Sequence, residues 1–152
     1  MITTTILAIV ESFLATLAYA VLFNVPKQYY TACGITGMAG WLLYLAMCQV
    51  TTVALASFVG TLAVVLISRI FTVRKKCPIT IFLVSGIIPL VPGAGIYYTA
   101  YYLVTGQMSL AAVKGLEAVK IAFAIVLGII FVVSIPRDTF QIRYWRAKRK
   151  RK

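Results

Sequence analysis

Five apolar runs, at residues 2–23, 31–48, 52–71, 79–104 and 119–135, fill most of this 152-residue chain. A helix needs only about 17 to 25 apolar residues to cross a bilayer. No water reaches the hydrocarbon, so each backbone amide and carbonyl must find its partner within the protein, which a helix achieves inside a single segment. Composition agrees: 62% of the residues are hydrophobic, 12% are charged and the mean hydropathy is +0.97, well outside the soluble range. The sequence therefore predicts an all-α integral membrane protein with five transmembrane helices in residues 1–136, the fourth broken at Pro89, Pro92 and Gly93, and a basic tail at 137–152. The connections are short: "NVPKQYY", "QVT", "TVRKKCP" and "GQMSLAAVKGLEA". Only the last has room for a small amphipathic helix, and none can hold a soluble domain.

Charge orients the bundle. There are 15 basic residues, 3 acidic ones and no histidine, and eight of the basic residues lie between Arg137 and Lys152, after the last apolar run. Basic residues beside a span mark its cytoplasmic end, so topology accounts for the excess and no nucleic-acid partner is expected. If Arg74, Lys75 and Lys76 face the cytoplasm, the tail arrives on the same side after two more spans, together with Lys27, and only Lys114 and Lys120 fall outside. The expected topology is N outside and C cytoplasmic; four spans would leave one basic cluster on the wrong side. Cys33, Cys48 and Cys77 are odd in number and lack metal-ligand spacing, so they read as packing residues or free thiols. "AYA" at 18–20 resembles a signal-peptidase site, but no basic residue precedes Lys27, and cleavage is not expected.

The fourth run contains "IIPLVPGAGIYY", residues 87–98. Proline has no amide donor and its ring clashes with the carbonyl four residues back, so Pro89 and Pro92 should free the carbonyls of Ser85 and Ile88. Within a membrane such a break is tolerated only where protein buries it or where it lines a wet cavity. A discontinuous helix can offer carbonyl ends to an ammonium group and amide ends to a carboxylate. Pro89, Pro92, Gly93 and Gly95 are therefore candidate substrate-binding residues, with a kink that serves packing alone as the plainer alternative. Tyr97 and Tyr101 follow in i, i+4 rows with Tyr98 and Tyr102, which suits either an aromatic belt or hydroxyls facing a cavity.

Two further places invite function. Asn24 and Lys27 flank Pro26, which drives Val25 away from helical geometry; the result is either free carbonyls and a charge at the mouth of the bundle or a simple helix stop. Glu11 lies near the middle of the first run, a depth at which an ionisable group is costly, and burial would suit it to bind and release a proton. It is the proton-coupling candidate, unless the first span starts late enough to place it at the outer interface. Glu117, with Lys114 and Lys120 three residues to either side, suits helical ion pairs at the outer surface. Gly34, Gly37 and Gly40, like Ala56, Gly60 and Ala63, form small-residue tracks that let helices pack closely, and their extent predicts an oligomer or a larger partner.

An enzyme is not expected: the sequence has no histidine, no pair of embedded carboxylates, no phosphate-cradling loop and no metal cluster, and a serine without a base is not a nucleophile. No cofactor or metal is expected either. In "LFNVPKQYYTACGITGMAGWLLY" and "CPITIFLVSGIIPLVPGAGIYY", over roughly residues 10 to 135, the chain resembles the C-terminal half, or separately encoded small subunit, of the threonine/serine exporter family. The shared features are an F-x-V-P-K stretch ending the first helix, the glycine-rich second helix leading to Gly40-Trp41, the basic loop before Pro78 and, most specific, Pro89-Leu-Val-Pro92-Gly93. The resemblance implies a secondary exporter of threonine, serine or related small organic acids, embedded in membrane lipid and working with a larger subunit. Five spans of one orientation would complement a partner of five spans of the other, the inverted pairing common in secondary transporters. The alternative is a membrane scaffold that assembles or stabilises a partner without transporting; polar groups around the break would favour the exporter, a dry and apolar break the scaffold.

Overall fold

The computed structural model describes residues 2–135, and all regular structure among them is helical. The elements are α1 (Ile2–Leu22), α2 (Tyr30–Cys48), α3 (Val53–Lys75), α4 (Thr80–Ile87), α5 (Gly93–Val104) and α6 (Met108–Val133), with 3-10 turns at Lys27–Tyr29 and Ile88–Leu90. The basic tail expected at 137–152 lies outside the described residues. Three helical segments, Lys27–Cys48, Val53–Lys75 and Met108–Val133, are long and apolar enough to cross a membrane. Thr80–Leu90 and Gly93–Val104 pass the same test as a pair bent by 51°, and Leu7–Leu22 is a shorter apolar helix. The chain is thus a multi-pass helical membrane protein.

Local chemistry sets the helix ends. α1 stops where Asn24 takes the left-handed conformation, φ 53°, which asparagine tolerates better than most residues. The Val25 N–H then donates to the Ala20 carbonyl and the Asn24 N–H to the Val21 carbonyl, both at 3.0 Å, the hydrogen-bond pattern of a Schellman stop. The carbonyls of Tyr19, Ala20 and Val21 are therefore occupied, the arrangement of a helix stop. α5 closes in the same way: Gly106 has φ 76°, and the Gln107 N–H reaches the Tyr102 carbonyl at 2.8 Å.

The expected connection at 106–118 is corrected by the structure. Helix resumes at Met108 and runs unbroken for 26 residues, about 39 Å at 1.5 Å per residue. The charged residues there lower hydropathy without breaking a helix, since lysine, glutamate, alanine and leucine are all good helix formers.

The interior mixes apolar side chains such as Val64, Val65 and Phe82 with small hydroxyl residues, and the outside is apolar. Thr16, Thr36, Ser57, Ser68 and Ser85 are buried, and each hydroxyl donates to the carbonyl four residues back at 2.7–3.0 Å, so none spends an unpaired donor in hydrocarbon. Leu7, Leu14, Phe123, Leu127 and Phe131 point outward, as side chains facing lipid should. α2 and α3 form the centre, crossing where Gly40 meets Gly60: a Cβ on Gly60 would stand 3.0 Å from the Gly40 carbonyl oxygen. Gly37 abuts Thr16 of α1, and Gly34 abuts Phe13. The small-residue tracks are thus used within the chain and do not by themselves point to a partner.

Arg69 supplies a tie that hydropathy does not reveal. It lies six residues before the end of α3 with only 8% of its surface exposed. Its guanidinium donates to the carbonyls of Val132 at 2.8 Å, Val133 at 3.1 Å and Ile135, at the end of α6. Those carbonyls lie where a helix runs out of its own donors, and a cation there also matches the helix dipole.

Candidate functional site

Past α4 the chain does not simply kink. Pro89 sits in the 3-10 turn, Val91 is extended with φ −64° and ψ 132°, and Pro92 has φ −75° and ψ 57°. The Gly93 N–H donates across Pro92 to the Val91 carbonyl at 2.7 Å, an inverse γ-turn. The Ile88 carbonyl, expected to be free, accepts the Val91 N–H at 3.1 Å. It is the amide side that stays open: the N–H groups of Ala94 and Gly95, in the first turn of α5, find no backbone acceptor among the described residues.

The 51° bend carries α5 away from the other helices and onto the first half of α6. Gly95 allows the contact, since a Cβ there would lie 3.3 Å from the Ala118 Cβ. Between this arm, the C-terminal half of α2 and the N-terminal half of α3 lies a cavity of about 400 Å³, within the range of small-molecule sites. Its wall takes Pro89 through Gly95 from the break, Trp41 and Tyr44 from α2, Ser57 from α3, Tyr98 from α5, and Lys114, Glu117, Ala118 and Ile121 from α6. Leu90 is buried beneath it, packed with Val64 and Ile125. Trp41 and Tyr44 stack with ring centroids 5.0 Å apart. The Lys114 Nζ donates to Glu117 Oε2 at 2.8 Å, with side chains 41% and 55% exposed. A Cβ on Gly93 would meet nothing within 4 Å, so this wall position has open space beside it.

Of the residues singled out in the sequence, Pro89, Pro92, Gly93 and Gly95 come together here. Tyr97 and Tyr101 do not line the wall; they are 64% and 49% exposed and stack on each other along the outside of α5. Asn24 and Lys27 flank Val25, which packs with Phe82 and Cys77 at the start of α4, whereas the cavity lies past its end. Glu11 is exposed on the outward side of α1. Among the described residues no cluster of three or more histidine, cysteine or carboxylate side chains could hold a metal ion.

Trp41, Tyr44, Ser57 and the Lys114–Glu117 pair were not singled out as site residues from the sequence. Their convergence depends on the bend and on α6 beginning eleven residues before its apolar run.

A family profile described as Threonine/Serine exporter, ThrE matches residues 8–135, which include the whole of the break and the cavity wall. No curated protein and no solved structure matches the chain.

Proposed function

The chain belongs to the threonine/serine exporter family, and on that premise we propose that it is a subunit of a secondary exporter whose solute passes the cavity at the α4–α5 break. What supports this is the chemistry of the wall: Ala94 and Gly95 with their open amides, the Lys114–Glu117 pair and the polar residues Tyr44, Ser57 and Tyr98 line space that a dry, packed kink would have filled. Threonine and serine each carry a carboxylate, an ammonium and a hydroxyl, and backbone amides at a helix start suit the carboxylate. Pro89 and Pro92 hold the break open, and Gly93 and Gly95 keep side chains out of it.

In this reading α1 to α3, the bent α4–α5 pair and α6 make five spans in a bacterial inner membrane, N outside and C cytoplasmic, with the tail at 137–152 inside. Lys27, Arg74, Lys75 and Lys76 gather at one end of the bundle, where the Lys75 Nζ lies 6.0 Å from the Tyr29 ring centroid, as the positive-inside rule requires. Five helices make a small carrier, so a larger subunit or a second copy completes it. Glu11, on the outward side of α1, is the candidate for proton coupling at that contact.

Counterflow uptake of labelled threonine and serine into liposomes, with the chain alone and with its co-purifying partner, tests the exporter reading. Uptake above empty liposomes in either preparation supports it, and none in both leaves the scaffold as the better account. Topology has its own test. Cys77 follows α3 in the basic loop, and a membrane-impermeant maleimide should modify it only after cells are permeabilised. Burial pushes this thiol up, with Tyr29 and Lys75 pulling the other way, so its labelling should accelerate at a higher pH than labelling of a free cysteine. Modification of Cys77 in intact cells would reverse the orientation.

A further inference from the structure

We propose that Lys114 and Glu117 are the specificity-determining residues of the cavity, reading the two charges of a zwitterion by opening their ion pair to it; this rests on the exporter reading above. A lysine and a glutamate three apart on a helix commonly pair at a surface for little gain. These two line the same cavity as Ala94 and Gly95 of the break, and among the described residues each has the other as its ion-pair partner. The pair is half exposed and held by a single 2.8 Å contact, so opening it costs little. The ammonium and carboxylate of an α-amino acid lie a few ångströms apart and can insert between the two side chains.

Insertion exchanges one pair for two: the Lys114 Nζ donates to the solute carboxylate, and the solute ammonium donates to the Glu117 carboxylate. Lysine brings donors alone and ionised glutamate acceptors alone, so the roles are not interchangeable. An amine lacking a carboxylate would pair with Glu117 and leave Lys114 unmatched, and an acid lacking the amine would do the converse. Such a solute breaks one ion pair to make one, whereas a zwitterion breaks one to make two, and selection follows from that difference. With no solute the two side chains close on each other.

Counterflow with the full chain and its co-purifying partner tests this using three competitors: serine, ethanolamine, which lacks the carboxylate, and 3-hydroxypropionate, which lacks the amine. With the natural chain only serine should compete with labelled threonine. Lys114→Gln should lower threonine transport about tenfold or more, the loss of one charge-assisted contact, and make ethanolamine an effective competitor. Glu117→Gln should lower it similarly and admit 3-hydroxypropionate instead. Both variants should melt like the natural chain, since the pair contributes little to stability. Unchanged transport, or lower transport with the competitor pattern unchanged, would overturn the assignment while leaving the exporter reading in place. If the natural chain transports neither threonine nor serine, the exporter reading itself fails.

Discussion

A chain carrying Gly93→Val is expected to insert and melt like the natural one while transporting threonine and serine at least about 100-fold more slowly. Stability should hold because a Cβ at Gly93 meets no atom within 4 Å, and valine has no φ > 0 to adopt there, since only Gly106 among the described glycines has a positive φ. Transport should fail if the added methyl groups occupy the cavity that Gly93 lines next to the open Ala94 and Gly95 amides. Two displaced carboxylate contacts, at about 1.5 to 3 kcal/mol each for hydrogen bonds to a charged group, correspond to two or more decades of affinity. Liposome counterflow alongside a melting curve separates the two effects. A variant that melts normally and transports normally would place the solute elsewhere.

The second large effect concerns stability. Arg69→Leu should cost roughly 2 to 4 kcal/mol, because the Val133 and Ile135 carbonyls lose the guanidinium as donor while Val132 keeps the Ile135 N–H, and unsatisfied acceptors away from water cost about 1 to 3 kcal/mol each, less what relaxation recovers. For a domain of this size that is a fall in melting temperature of about 5 to 10 °C. Arg69→Lys keeps the charge but replaces the guanidinium fork with a single ammonium, so it should lie between the two. Scanning fluorimetry in detergent reads all three. A leucine variant as stable as the natural chain would show that the α3–α6 tie is ornamental.

Much of the fold was legible because the membrane restricts what an apolar run can become. Runs at 31–48 and 52–71 correspond closely to α2 and α3, and the two prolines with Gly93 located the break. The start of α6 was not legible by hydropathy, since a helix at an interface can continue through Lys114, Glu117 and Lys120 without apolar residues. At the break, proline chemistry located the interruption but misjudged what it exposes. The Ile88 carbonyl is taken up by the 3-10 turn, and amides are left open instead. Tyr98 and Tyr97 are neighbours in sequence yet only Tyr98 lines the cavity, a distinction set by the rotation of α5 relative to α6. Arg69 could have been found: a lone basic residue within an apolar run calls for a partner, though nothing local identifies that partner as α6, 63 residues away.

The most direct measurement of the central claim, that solute occupies the cavity at the break, is protection of one introduced thiol. With Cys33, Cys48 and Cys77 replaced by alanine and Tyr98, which lines the cavity, by cysteine, the rate of maleimide modification at position 98 is followed with and without threonine. Threonine and serine are predicted to slow that modification at concentrations that saturate transport by the cysteine-free parent, whereas ethanolamine and 3-hydroxypropionate should not. Modification that proceeds at the same rate with and without saturating threonine, in a preparation whose parent transports threonine, would contradict it.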